Sequence, residues 1–551
     1  MEALANSLFP DFEPQVCADG IARLAATGDA TVINTAMRKA EAQLSRYNLG
    51  AAELERIADE VLVPAGEFNF GIPQTTGGFF DGAAQSVSES AAGYVTSAAD
   101  SSAGGGTAFS PQVLSQRQAQ NALPQNGASS GGAASQRSIT PASSGGTVIG
   151  TKTLSQIRGD FPILQEKVNG HDLVWLDNGA TTQRPQAVID RLVHFYQHEN
   201  SNIHRGEHEL ATRSTDAYEG ARQTVADFIG APGKENIVFV RGTTEAINLI
   251  AQSYVKPLLQ PGDEIILTLL EHHANIVPWQ LVAEETGAVI KVVPIDESGQ
   301  LIMSEYSKLF TRRTKFVSAT HVSNTLGTIT PVAELVSIAH AHGVRILIDG
   351  AQSIAHIPVN VSALDADFFV FSGHKVYAPT GIGAIYGKSD ALEQAKPYHG
   401  GGNMIADVTF ERTIYNPAPN KFEAGTGNIA DAVALGTALD YLSAIGMPAV
   451  NKWEHELTQY AMAELRRIPG LHLIGTPLHK SGVLSFVLDG HSLHEVGQRL
   501  NEFGVAVRAG HHCAQPVLRS MGLEGTVRPV LGIYNSPEDI DALVRGIRSL
   551  A

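Results

Sequence analysis

From about Leu154 onward, short apolar runs alternate with segments whose apolar residues recur at helical spacing. The runs include Ile237-Val238-Phe239-Val240, Glu264-Ile265-Ile266-Leu267-Thr268, Lys315-Phe316-Val317-Ser318-Ala319, Val344-Arg345-Ile346-Leu347-Ile348 and Asp367-Phe368-Phe369-Val370-Phe371. Strands alternating with helices are the signature of a parallel sheet, so an α/β domain is predicted over 154–430. After about residue 430, helices mix with shorter strands and end in a helix predicted over 537–550. That pattern predicts a smaller C-terminal α+β domain over 431–551.

The first third of the chain reads differently. Apolar residues at helical spacing in Val32-Ile33-Ala36-Ala40-Leu44 and Leu54-Ile57-Ala58-Val61-Leu62 predict a helical segment within 1–66, closed by Pro64 and Gly66. Residues 67–153 are rich in Gly, Ser, Ala, Gln and Thr, and the stretch has no acidic residue after Asp100. Such a composition buries too little apolar surface to offset chain entropy, so a disordered linker is expected. It holds one aromatic island, Phe68-Asn69-Phe70-Gly71-Ile72-Pro73 with Phe79-Phe80, which reads either as a chance cluster or as a docking motif for a partner's groove.

Composition narrows the function classes. A chain of 551 residues exceeds one ordinary domain. Its formal charge of -17 argues against nucleic acid or an anionic membrane as main partner. No stretch approaches the ~18 apolar residues of a membrane helix. The start, Met1-Glu2-Ala3-Leu4, lacks the basic and apolar regions of a secretory signal, so a cytoplasmic location is expected. The 2 cysteines, Cys17 and Cys513, exclude a disulfide framework or a cysteine-built metal site within one chain.

The candidate chemistry gathers at predicted strand ends. Lys375, in Ser372-Gly373-His374-Lys375, follows a buried strand, and a desolvated lysine is suited to a Schiff base; a solvated surface lysine is the plainer alternative. Arg241-Gly242-Thr243-Thr244-Glu245 places hydroxyls and backbone amides at a helix start, an anion site or a simple cap. Asp349 in Asp349-Gly350-Ala351-Gln352 lies where open α/β sheets bind ligands, and it is equally a candidate N-cap. His272 and His273 suggest a metal, but they are adjacent rather than four apart, and an imidazole stacked on a planar cofactor fits as well; no metal is expected. A phosphate site, a carboxylate for a ring nitrogen, a ring stacker and a lysine together describe pyridoxal 5'-phosphate. Cys513 lies in Arg508-Ala509-Gly510-His511-His512-Cys513-Ala514-Gln515-Pro516, where Arg508, His511 and His512 are cationic candidates to favour its thiolate. Arg528 has the planar fork to clamp a substrate carboxylate.

These motifs resemble the group II cysteine desulfurases, also called selenocysteine lyase-like enzymes, of the class V aminotransferase family. The match rests on Leu176-Asp177-Asn178-Gly179-Ala180-Thr181-Thr182, Arg241 to Glu245, Glu271-His272-His273-Ala274-Asn275, His321-Val322-Ser323-Asn324, Asp349 to Gln352, Ser372 to Lys375 and Arg508 to Cys513, in that order. The resemblance implies a fold-type I transferase and a homodimer. It makes Lys375 the Schiff-base lysine and His272 the ring-stacking acid/base. Asp349 and Gln352 would hold the ring nitrogen and hydroxyl, with Asn324 nearby. Thr243, Thr244, Ser372 and His374 would hold the phosphate, and Thr426 would reach the phosphate of the other subunit. Arg528, with Arg508 and Asn324, would bind the substrate, and Cys513 would accept sulfur from L-cysteine, releasing alanine and leaving a persulfide for an acceptor protein. Selenocysteine is an expected second substrate. Gly179, Ala378 and Gly427 depart from the family pattern, which puts fine substrate preference in question.

Roughly the first 150 residues are additional to the common two-domain enzymes of this family. Their helical segment and low-charge tract resemble the leader of cysteine desulfurases packaged in encapsulin shells, which implies a shell protein as partner of residues 1–150. A passive extension, or a tether to a sulfur acceptor, stands as the alternative, as does a selenocysteine lyase or another class V enzyme carrying such an extension.

Overall fold

The computed structural model describes residues 146–204 and 206–550. The predicted leader helices, the linker with its aromatic island, and Cys17 lie outside the described residues.

Seven strands form the central sheet: β1 (Ile237–Val240), β2 (Glu264–Thr268), β3 (Val289–Val293), β4 (Thr314–Thr320), β5 (Arg345–Asp349), β6 (Phe368–Ser372) and β7 (Gly383–Gly387). Their spatial order is β1-β7-β6-β5-β4-β2-β3. Only β7 is antiparallel to its neighbours in this sheet, so the other six share one direction and one carboxyl edge.

The apolar runs are continuous because both faces are covered. Ile265, Leu267, Phe368 and Val370 point to one side, where they pack with Ala246 and Ile247 of helix Thr243–Ile250 and with Trp279. Ile266, Ile346, Ile348, Phe369 and Phe371 point to the other, against Val225, Leu335, Leu435 and Leu439. Alternation along a strand thus feeds two cores rather than one core and solvent.

The C-terminal part holds a four-stranded antiparallel sheet of Leu471–Leu473, Phe486–Leu488, Thr526–Arg528 and Arg508–Gly510, in that spatial order. Helix Pro537–Arg548 closes the chain, with Ser536 and Asp539 forming its capping box. The strand Val174–Trp175 pairs in parallel with Val505–Ala506, so the segment that opens the described chain rests on the C-terminal part. The expected boundary at 430/431 falls inside helix Ile429–Ile445, whose residues pack in the same core as Val188 and Val225 of the large domain. Among the described residues, no single helix is long and apolar enough to cross a membrane. The bent pair Ile429–Ile445 and Met447–Leu465 has a suitable composition, but Leu435, Leu439, Leu442 and Leu457 are buried in the core.

Candidate active site

The carboxyl edge of the central sheet concentrates the candidate residues. Thr243 and Thr244 follow β1, His272 follows β2, Asn324 follows β4, Asp349 ends β5, and Ser372 ends β6. Gly383 of β7 sits between Ser372 and Val240. A Cβ there would lie 2.5 Å from the Phe371 carbonyl oxygen and 2.7 Å from Gly242 Cα, so only glycine lets the two loops close up. Ser372 Oγ consequently accepts the Thr243 amide at 2.8 Å and lies 2.8 Å from Thr243 Oγ1. Gly242 supplies no side-chain cap to the helix that starts at Thr243. These hydroxyls and the further amides of the helix start are of a kind that could hold an anion.

Lys375 closes the turn Gly373–Lys375 after β6. The turn is fixed from below: the His374 carbonyl accepts the Thr182 amide at 2.9 Å and Thr181 Oγ1 at 2.9 Å, and Thr182 Oγ1 accepts the Tyr377 amide at 2.7 Å. Burial lowers the Lys375 amine to about 8; Asp349 opposes that shift, while Arg528 and Arg508 add to it. Burial raises the Asp349 carboxyl above its ordinary value, against the Ala351 amide and Lys375. One Asp349 oxygen takes that amide at 2.9 Å. Burial, followed by the charge of Lys375, lowers His272 to about 3, so its imidazole is neutral near pH 7. His272 Nδ1 accepts the Ala274 amide at 3.0 Å, which places its proton on Nε2. His374 is lowered to about 4, first by burial, and is neutral as well. Among the described residues, no group of three or more His, Cys, Asp or Glu side chains is placed to hold a metal ion.

The cysteine loop comes from the C-terminal sheet. Arg508 and Arg528 are register partners on adjacent strands. Asp177 stands between them, 3.4 Å from Arg528 Nη2 and 3.5 Å from Arg508 Nε. Arg528 Nη1 donates to the Asn324 carbonyl at 2.8 Å, and Asn324 Nδ2 donates to the His512 carbonyl at 2.7 Å. His512 and Cys513 both adopt left-handed backbone, with φ of 53° and 55°. Cys513 is partly exposed. The expectation that His512 is a cationic neighbour of the thiol is corrected: the ring is buried with Nε2 on Thr526, and burial lowers it to about 3.

Thr243, Thr244, His272, Asn324, Asp349, Ser372, His374, Lys375, Arg508, Cys513 and Arg528 line one cavity of ≈ 200 Å³. Two expected residues are not on its wall. Gln352 is turned away, its Nε2 donating to the Gly179 carbonyl at 2.8 Å. Thr426 is exposed, with its hydroxyl 3.4 Å from Asn202 Oδ1. Asp177, in the motif Leu176 to Thr182, pairs both arginines, a role that the motif's spacing alone does not assign. The signal was an acidic residue closing an apolar run in a chain with two arginines to be paired.

Asn324 Oδ1 and Arg528 Nε are buried and have no hydrogen-bond partner among the described residues. Unpaired buried polar atoms beside a cavity mark a place for a polar ligand. With the hydroxyls and amides at the helix start, a buried carboxylate and a buried amine, the donor set fits pyridoxal phosphate and an amino acid.

Residues 174–543 match the sequence family described as aminotransferase class-V. The chain belongs to that family. It is similar to a probable cysteine desulfurase of Mycolicibacterium paratuberculosis, 62% identical over 398 residues, which covers 72% of this chain and 58% of that protein. A probable cysteine desulfurase of Vibrio cholerae is 48% identical over 394 residues, covering 72% of this chain and 97% of its own. The solved cysteine desulfurase CsdA of Escherichia coli superposes with a TM-score of 0.68 at 39% identity, covering 72% of this chain and 98% of its own. The chain therefore spans well under two thirds of the length of the mycobacterial relative it matches. As a class-V member it has the fold-type I architecture, and pyridoxal phosphate is its cofactor. Thr243, Thr244 and Ser372 would hold the phosphate, Asp349 would face the ring nitrogen, His272 would cover the ring, and Lys375 would hold the aldehyde.

Proposed function

We propose that this protein is a cysteine desulfurase that converts L-cysteine to L-alanine and stores the sulfur as a persulfide on Cys513. The observation that carries the reading is that Cys513 and Lys375 line the same cavity, although they come from different parts of the fold. An ordinary aminotransferase needs the lysine but has no use for the thiol. The similarity to cysteine desulfurases over most of the described chain supports the same reading.

The chemistry supplied by pyridoxal phosphate, when bound, is that of an electron sink that acidifies the substrate Cα–H and weakens the carbon–sulfur bond. Arg528, with its free Nε and its fork beside Asn324, binds the substrate carboxylate. Lys375, its amine lowered to about 8, has a far larger neutral fraction near pH 7 than an ordinary lysine and moves the proton from Cα. His272 carries its proton on Nε2, the atom able to donate toward the substrate. Cys513 Sγ attacks the substrate sulfur: an S–S bond forms, the C–S bond breaks, and the substrate Cβ takes a proton to become the methyl group of alanine. No external oxidant or reductant is needed to reach the persulfide. A selenol leaves more readily than a thiol, so L-selenocysteine is a second substrate that depends less on Cys513.

Thr426, exposed in one chain, would complete the phosphate site of a second copy, which makes the working unit a homodimer. A sulfur-acceptor protein would then discharge Cys513. Residues 1–150, with their low-charge Gly/Ser/Ala/Gln composition and aromatic island, are proposed to load the enzyme into an encapsulin shell. Holoenzyme given L-cysteine and a reductant tests the central reading: it should form alanine and sulfide in equal amounts, and absence of alanine would overturn it. Co-sedimentation of the full chain, but not of a chain lacking residues 1–150, with a shell-forming protein tests the loading.

A further inference from the structure

His273 takes no part in the chemistry above, yet it touches the nucleophile loop three times. Its backbone amide donates to the Cys513 carbonyl at 2.8 Å. Its ring Nε2 accepts the Gln515 amide at 3.3 Å. The same ring stacks on His511, with centroids 5.9 Å apart and planes at 30°. His511 in turn uses Nδ1 to accept the Cys513 amide at 3.1 Å. The two imidazoles thus grip the loop at the residue that carries the thiol, 513, and two residues further on, at 515.

The grip has a physical purpose. Two successive residues with side chains, His512 and Cys513, lie in left-handed backbone, a state that persists only when surrounding contacts hold it. The small-domain sheet holds only the His512 ring, through Thr526; the contacts to the backbone of His512 and Cys513 from across the cavity come from the segment after β2 and from the Asn324 side chain. That segment also carries His272. The residue that covers the ring and the residue that holds the thiol are therefore consecutive, and one backbone unit fixes the distance between ring and nucleophile.

We propose that His273 is a positioning residue that, with His511, clasps the Cys513 loop over the cofactor cavity. The clasp works by acceptance: Nε2 of His273 and Nδ1 of His511 must each offer a lone pair to a backbone amide. The inference rests on the desulfurase reading, and it assigns His273 to sulfur transfer rather than to cofactor binding.

Hydrogen–deuterium exchange of residues 511–516 in the holoenzyme, measured beside alanine formation, tests it. His273→Leu removes the acceptor, whereas His273→Gln keeps an acceptor oxygen near the Nε2 position. The expected result for His273→Leu is roughly five-fold faster exchange in that peptide, the factor for loss of one neutral hydrogen bond. Turnover of L-cysteine should fall by a similar factor with cofactor absorbance unchanged, and His273→Gln should restore both. His511→Ala, at an exposed position where misfolding is not at issue, should loosen the same peptide. Unchanged exchange in His273→Leu, or equal loss in His273→Gln and His273→Leu, would overturn the clasp. Exchange reads the clasp independently of chemistry, so a wild-type enzyme without L-cysteine turnover would count against the desulfurase reading alone.

Discussion

Arg528 and Asn324 interlock at the wall of the cavity: Nη1 of the arginine donates to the asparagine carbonyl at 2.8 Å, while Arg528 Nε and Asn324 Oδ1 have no partner among the described residues. The guanidinium is anchored by Asp177 and Asn324, and Arg528 lines the cavity where a substrate carboxylate would sit.

Arg528→Lys should therefore keep the charge and lose the fork. A charged hydrogen bond contributes roughly 1.5–3 kcal/mol, so KM for L-cysteine should rise about 10- to 100-fold. Steady-state alanine formation measures it, and an unchanged KM would place the carboxylate elsewhere.

Lys375→Ala should abolish the cofactor-linked visible absorbance, because no other amine lines the cavity among the described residues. The pH dependence follows from burial, which lowers the amine to about 8. Its nucleophilic fraction grows as pH rises and saturates above that value. Incorporation of pyridoxal phosphate into cofactor-free enzyme should accelerate with pH and level off above about 8. Stopped-flow absorbance checks this; a rate still climbing toward pH 10.5, the ordinary lysine value, would contradict the buried environment.

Lys480 gives a stability prediction. Its ammonium is buried, with the carbonyls of Leu326 and Gly475 as its acceptors among the described residues, and burial lowers it to about 7 from 10.5. Between those values the unfolded chain binds the extra proton, so the penalty for burying the charge is relieved as pH rises. Wild type should gain stability against urea relative to Lys480→Met on going from pH 7 to pH 9. A pH-independent difference between the two would show that the ammonium is not desolvated.

The strand-end placement of Thr243, His272, Asp349 and Lys375 was legible because continuous apolar runs mark strands covered on both faces, and parallel strands put their ends on one edge. Less was legible where backbone atoms decide the partner. Gln352 spends its amide on the Gly179 carbonyl, and His512 spends its ring on Thr526, neither of which spacing reveals. The pairing of Val174–Trp175 with Val505–Ala506 joins opposite ends of the described chain, and no local pattern predicts it. The grip of His273 on the cysteine loop is not legible in the sequence for the same reason: its partners are the Cys513 carbonyl and the Gln515 amide.

Cys513→Ser should leave cofactor absorbance intact, since the thiol holds no part of the Thr243 and Ser372 contact or the lysine turn. Alanine formation from L-cysteine should fall by at least ~10²-fold, the usual scale for loss of a covalent nucleophile's contribution. L-Selenocysteine turnover should survive in large part. Equal loss of both activities would mean that the serine variant disturbs the site rather than the sulfur step.

The most direct test is mass spectrometry of the holoenzyme mixed with L-cysteine and no reductant. The account predicts one added sulfur atom on the peptide containing Cys513, formed together with one alanine. Alanine released with no sulfur on that peptide would contradict it.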